Sequence, residues 1–180
     1  MRADDLHLDE LVHFSDGLVD LHGRRLIILD LHALAQFRRD IVEMVGLEQA
    51  RRIFTRLGYF WGQTDAAAMK RIFRWENIIE WVKAGPMLHA LQGAARAEIK
   101  TLNIDQAEDR FSMEVIWHDS GEAEASATEL GTSAEPSCWT FVGYASGYAS
   151  FCLGKSVYFL ETQCRAKGDS ICRVVGKDID

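Results

Sequence analysis

The hydrophobic pattern of this chain changes period in mid-chain, and that change limits the possible folds more than any other feature. Between residues 31 and 92 apolar side chains recur at helical spacing, whereas from residue 109 they alternate. The stretch "LHALAQFRRDIVEMV" (31–45) predicts a helix ended by Gly46, and "LEQARRIFTRLGYFWGQTDAAAMKRIF" a second, longer one. A third, "ENIIEWVKAGPMLHALQG", contains Gly85-Pro86, which is expected to break or kink it. "DRFSMEVIWHD" then puts Phe111, Met113, Val115 and Trp117 on one strand face, with "ARAEIKTLNID" as its hairpin partner. Ahead of the helices, "LVHF", "GLVDL" and "RRLIIL" read as short extended pieces parted by Asp-Gly and His-Gly turns. Near the other end, "EAEASATELG" predicts a helix closed by Gly131. "PSCWTFVGYASGYASFCLG" predicts another, whose Gly143 and Gly147 admit a close neighbour, and "SVYFLETQC" and "SICRVVG" are the final strands. The expected class is α+β, a helical part packed on a mixed antiparallel sheet, with parts at 1–93 and 94–180.

Composition narrows the function. With 180 residues, 48% hydrophobic and 26% charged, the chain has the ordinary globular mixture and enough length for a core. A formal net charge of −7 argues against a nucleic-acid surface, which needs clustered Lys and Arg. Arg51, Arg52 and Arg56 do cluster, but at helical spacing, and read as a solvated helix face. No apolar run reaches the ~18 residues of a membrane span. The acidic start "MRADDLHLDELV" lacks the apolar core of a signal peptide, so a cytoplasmic protein is expected. Thiols stay reduced there, and four cysteines then favour metal binding or burial over disulfides.

The cysteines are unevenly placed, with Cys164 and Cys172 both inside "ETQCRAKGDSIC", symmetric about Gly168. A hairpin there makes them cross-strand neighbours able to grip one metal ion. Cys138 is the best third donor, because it follows Pro136 at an expected helix start, where the helix dipole favours thiolate. Cys152 is a poor one, since fourteen helical residues place it roughly 21 Å further along the helix. Glu161 is a candidate fourth ligand, but regular alternation would point it away from Cys164, so a bulge near Thr162 is required. The competing reading is a set of buried free cysteines acting as small hydrophobes.

A second constellation pairs Trp117, on its apolar strand face, with His89 just beyond the Gly85-Pro86 step. With Trp81, Tyr148 and Phe159 nearby in pattern, these are either ordinary core or the two polar points of a small apolar pocket. "GKS" at 154–156 suggests a phosphate loop, but Ala149 stands where its first glycine belongs and the helix-to-strand order is reversed. Neither HExxH nor GxSxG occurs, and no nucleophile–base spacing is recognisable.

The segments "LDLHALAQFRRDI", "RLGYFWGQTDA", "GPMLHALQG", "TELG", "EPSCWTFVGYASGYAS" and "ETQCRAKGDSICRVVGKD" together resemble one family. It is the N-terminal sensory domain of sigma-54-dependent activators of aromatic catabolism, whose C-terminal part is similar to the 4-vinyl reductase-like domain. The resemblance covers nearly the whole chain and is strongest to phenol-responsive members. It implies a dimeric α+β sensor with a buried aromatic pocket and a zinc-bearing lobe. Cys138, Glu161, Cys164 and Cys172 match the structural zinc ligands, and His89 and Trp117 the residues that hold a phenolic hydroxyl. Val82, Ile99, Val115, Tyr148 and Phe159 match pocket-lining positions. It further implies an AAA+ ATPase partner domain elsewhere in the full-length protein and no DNA contact by this part. Two other readings compete: an enzyme processing a small aromatic, and a dimerisation module without ligand.

Overall fold

The computed structural model describes residues 1–178. A 3-10 turn (Ala3–Asp5) and a one-turn helix α1 (Leu8–Leu11) lead into an antiparallel three-stranded sheet: β1 (Val12–Ser15), β2 (Leu18–Leu21) and β3 (Arg24–Leu26). Its turns hold Asp16-Gly17 and His22-Gly23 at positive φ, as the Asp-Gly and His-Gly signals require. The expected third strand is shorter than "RRLIIL" suggests. Beyond Leu26, Ile27 and Ile28 are 80% and 76% exposed, with no layer beneath to reward pairing.

Three helices follow. The Asp30 carboxylate accepts the Ala33 N–H (3.0 Å) and starts α2 (Leu31–Val45), which Gly46 ends at φ 81°. Helix α3 (Leu47–Ile72) is the longest, and Asn77 caps α4 (Ile78–Leu91) by accepting the Glu80 N–H. The expected break at Gly85-Pro86 does not occur, because α4 runs through Pro86 as one element. Proline removes a single helical hydrogen bond here, and the turn is held from outside. The Tyr148 hydroxyl donates to the Trp81 carbonyl (3.1 Å), and the Tyr148 ring lies flush against Gly85.

The second sheet has strand order β4-β5-β7-β6, every pair antiparallel: β4 (Arg96–Asp105), β5 (Arg110–His118), β6 (Val157–Gln163) and β7 (Cys172–Asp178). The helices α5 (Gly121–Leu130) and α6 (Trp139–Leu153) lie between β5 and β6. On β5, Phe111, Met113, Val115 and Trp117 are all buried, as their alternation predicted. They join Trp81, Val82 and Leu88 of α4, Tyr144 and Tyr148 of α6 and Phe159 of β6 in one core. That core draws on both halves of the chain, so the cavity described below is walled by both.

Helix α6 sits against α3 at backbone distance. A Cβ built on Gly143 would lie 2.0 Å from the Thr55 carbonyl oxygen, and one on Gly147 2.0 Å from that of Tyr59. Only glycine permits this approach, which fixes the azimuth of α6 and hence which of its side chains face the sheet.

Candidate ligand cavity and metal centre

Helix α4 supplies Val82, Gly85, Pro86 and His89 to a small cavity, and β5 supplies Met113, Val115 and Trp117. Tyr144, Ala145, Tyr148 and Ala149 of α6 close a third side, with Phe159 and Val174 from β6 and β7. Of the expected pocket residues, His89, Trp117, Val82, Val115, Tyr148 and Phe159 meet there. Ile99 does not. It sits partly buried on β4 opposite Val115, one strand out from the cavity wall. Met113, Tyr144 and Val174 were missed, although Met113 shares the alternating face of β5 and Tyr144 lies one helical turn before Tyr148.

The polar chemistry of the cavity is concentrated on His89. Its ring packs 5.6 Å from Trp117, 5.4 Å from Phe141 and 4.6 Å from Tyr144, centroid to centroid. Its Nδ1 is buried without a hydrogen-bond partner among the described residues. Burial lowers the imidazole pKa to about 4, so the ring is neutral at pH 7. The Tyr144 hydroxyl is already engaged, donating to Asp65 Oδ2 (2.9 Å), which also accepts from Gln92 Nε2 (2.5 Å). Arg24 Nη1 donates to the other oxygen of Asp65 (2.5 Å). The cavity volume is ≈ 30 Å³. That is room for about one water, and a benzene-sized ring must spread the walls to enter.

The low histidine pKa has a consequence for stability. Between pH 6.5 and about 4 the unfolded chain binds a proton at this position and the folded one does not. Stability therefore rises with pH across that window and is lost as pH falls through it. Urea unfolding should show the parent losing about 2–3 kcal/mol more than His89→Ala between pH 7 and pH 4.5. Equal losses in the two proteins would contradict a buried neutral imidazole.

About the far end of the same sheet, the donor atoms of Cys138, Glu161, Cys164 and Cys172 lie within 4.8 Å of one another, all four residues buried. The bulge that the sequence demanded is present: the β6–β7 register shifts between Glu161 and Gln163, turning Glu161 inward with Cys164. Cys164 and Cys172 flank a 3-10 turn (Arg165–Lys167) closed by Gly168 at φ 99°. Cys138 is the residue immediately before α6. Cys152 is buried but is not a member of the group.

The donor set fits a thiophilic cation. The Cys138 and Cys172 sulfurs are 3.9 Å apart, and sulfurs ~2.3 Å from one tetrahedral ion lie about 3.8 Å apart. Each sulfur has a donor aimed at it: the Ser120 hydroxyl on Cys138 (3.2 Å), the Ser137 N–H on Cys164 (3.4 Å) and the Arg165 N–H on Cys172 (3.3 Å). Glu161 Oε2 accepts the Cys138 N–H (2.9 Å), while Oε1 is buried with no partner among the described residues. An orphaned carboxylate oxygen facing three sulfurs is what a cation would satisfy. The expected thiolate preference at Cys138 is not what the surroundings impose. Burial pushes the Cys138 thiol up, and the free N–H groups at the start of α6 serve Glu161 and Glu122 instead. Cys164 is the sulfur held far below the ordinary thiol range, by hydrogen bonds from Cys138 and Cys172.

Comparison with known proteins agrees with this arrangement. Residues 7–105 match the family described as "Activator of aromatic catabolism", and residues 117–178 match the 4-vinyl reductase-like domain. The chain is 40% identical over 180 residues to the transcriptional regulatory protein XylR of Pseudomonas putida, covering 98% of this chain and 32% of that one. It is 34% identical over 173 residues to the phenol regulator MopR of Acinetobacter guillouiae, covering 96% of this chain and 31% of that one. The chain thus spans about a third of the length of these relatives. Among solved structures, the phenol-responsive sensory domain of the transcription activator PoxR, with phenol, is similar at a TM-score of 0.91 and 32% identity. That match covers 95% of this chain and 86% of that one. Subunit 3 of a trafficking protein particle complex from Naegleria fowleri shares the fold alone, at a TM-score of 0.56 and 13% identity, over 83% of this chain and 95% of that one. The named relatives of the regulator family are regulators and a sensory domain, not enzymes. The chain belongs to the family of activators of aromatic catabolism.

Proposed function

We propose that this domain binds phenol or a simple phenol derivative in the His89–Trp117 cavity, and that binding relieves restraint on an AAA+ ATPase domain of the full-length activator. The observation that carries this reading is the neutral, buried His89 with an unpartnered ring nitrogen in an otherwise apolar cavity. A solved relative of the same architecture holds phenol. Neutral imidazole accepts the phenolic proton at one nitrogen or donates from the other, and the indole N–H of Trp117 donates to the phenolic oxygen. Val82, Val115, Tyr148 and Phe159 form the apolar walls that bury the ring. Ile99, behind Val115, backs that wall. Because the walls must part, ligand affinity is reduced by the free energy of opening, and small residues such as Gly85, Ala145 and Ala149 keep that cost low.

The Cys138–Glu161–Cys164–Cys172 cluster holds, in this reading, one zinc ion that ties α6 to the β6–β7 hairpin. Four protein ligands leave no open position, so the ion supplies structural cross-linking and no chemistry. Residues 1–93 form the helical and N-terminal part and 94–180 the sheet with the metal lobe, folding around the shared core. The active form is a homodimer in the cytoplasm, where thiols stay free for metal. Exposed Phe14, Leu18, Ile27 and Ile28 offer apolar surface for a second copy to cover. No helix among the described residues is long and apolar enough to cross a membrane. The acidic balance favours a domain that leaves DNA to another part of the protein.

The test is the melting temperature of the purified domain with increasing phenol. A ligand that binds only the folded state raises it by mass action, about 2.7 kcal/mol of stabilisation at a hundredfold excess over Kd. No shift at millimolar phenol would contradict the proposal.

A further inference from the structure

Among the described residues, Arg38 on α2 is the one arginine or lysine that is buried, at 5% exposure. Its guanidinium lies 3.7 Å over the Trp139 ring, at the start of α6. Nη1 donates to the Ser137 carbonyl (2.8 Å) and to Glu122 Oε1 (3.2 Å), while Nε and Nη2 are buried without partners among the described residues. Ser137 is the residue whose N–H and hydroxyl both face the Cys164 sulfur, at 3.4 and 3.5 Å. Arg38 thus reaches the sulfur cluster through a single residue, from a helix in the other half of the chain.

Charge explains why a buried cation belongs there. Three thiolates and a carboxylate around a divalent ion leave a net charge of −2 on a buried centre, and Glu122 adds another negative charge beside it. The attraction of Glu122, Cys138, Cys164 and Glu161 for the guanidinium opposes the penalty that burial puts on its charge. A buried charge without compensation is strongly unfavourable.

We propose that Arg38 is the counter-charge of the metal centre and, as such, a positioning residue that couples metal retention to the docking of α2. It touches no ligand atom and acts through Ser137 and through the field it imposes on the sulfurs. Coupling of this kind is reciprocal: the metal holds α2 in place as Arg38 holds the metal. The inference rests on the zinc reading above, and the experiment separates the two.

Zinc-loaded parent, Arg38→Met, Arg38→Lys and Glu122→Gln are mixed with excess of a chromophoric chelator, and zinc release is timed at pH 7. Their urea midpoints are recorded alongside. Arg38→Met keeps an apolar chain over Trp139 but removes the charge, and release should quicken about 10–100-fold. Arg38→Lys should stay within about threefold of the parent because it keeps the charge. Glu122→Gln is the discriminating variant. Removing this neighbouring negative charge leaves Arg38 wholly to the metal centre, so release should be unchanged or slower even though the urea midpoint falls. If Arg38 served only as half of an ion pair that steadies the fold, Glu122→Gln and Arg38→Met would quicken release alike. That parallel outcome, or parental release from Arg38→Met, overturns the proposal. Should Arg38→Met fail to fold, the Lys and Gln variants decide it: Lys near parental with Gln not quickened supports it, and Gln quickened overturns it. A folded parent that carries no zinc removes the metal reading itself and the proposal with it.

Discussion

Cys164→Ala is expected to yield a domain that is insoluble or melts far below the parent, while Cys152→Ala folds with a loss of about 1 kcal/mol or less. Both cysteines are buried and free, so burial does not distinguish them. Their surroundings do. Cys164 lies in the four-residue cluster, receives the Ser137 N–H, and its carbonyl accepts the Lys167 and Asp169 N–H groups that shape the hairpin loop. A metal site of this kind forms only in the folded chain, so its binding free energy is folding free energy, about 10–16 kcal/mol for zinc-finger peptides at neutral pH. That is comparable to the roughly 5–15 kcal/mol by which whole domains are stable. Loss of one of three sulfurs therefore removes a large fraction of the margin, whereas Cys152→Ala deletes a single buried atom at the end of α6. Soluble yield, urea midpoint and metal content per chain read the difference. A Cys164→Ala domain that stays folded with the parental midpoint would contradict a structural metal.

The second large effect concerns discrimination between phenol and rings without a hydroxyl. His89→Ala and Trp117→Phe should each weaken phenol binding about five- to 150-fold and narrow the gap between phenol and benzene. The apolar walls act on the ring, which both ligands share. The hydroxyl is paired only by the imidazole and the indole, and leaving a buried polar group unpaired costs about 1–3 kcal/mol, the origin of that range. A site built to hydrogen-bond a hydroxyl rejects analogues that lack one far more strongly than an apolar pocket separates similar shapes. The two substitutions act on one shared oxygen, so the double variant should lose less than the sum of the single losses. Parental phenol affinity in both single variants would place the site elsewhere.

Much of this arrangement was legible because it lies in local patterns. The alternation at Phe111, Met113, Val115 and Trp117 marked the face of β5 that walls the cavity, and Gly143 and Gly147 marked a helix in backbone contact with a neighbour. The metal group was legible from spacing plus one geometric demand, the bulge between Glu161 and Gln163, which the structure contains. What spacing could not carry was the choice between a metal site and buried free cysteines; that turned on the orphaned Glu161 oxygen and the N–H groups aimed at sulfur. The error at Pro86 has a tertiary origin, since the helix is held by Tyr148, far away in sequence, and local rules see only the missing N–H. Arg38 was invisible for a similar reason. On α2 it is one of several charged residues at helical spacing, and only the packing of α2 beside α5 and Trp139 makes it the buried one.

The account stands most directly on one titration: calorimetry of the zinc-containing parent domain with phenol and, under the same conditions, with benzene. It predicts saturable phenol binding at one site per chain, with benzene weaker by at least about tenfold, because the buried His89 nitrogen and the Trp117 indole are paired by one ligand and not by the other. Equal affinity for the two rings, or no heat from phenol at millimolar concentration, would contradict it.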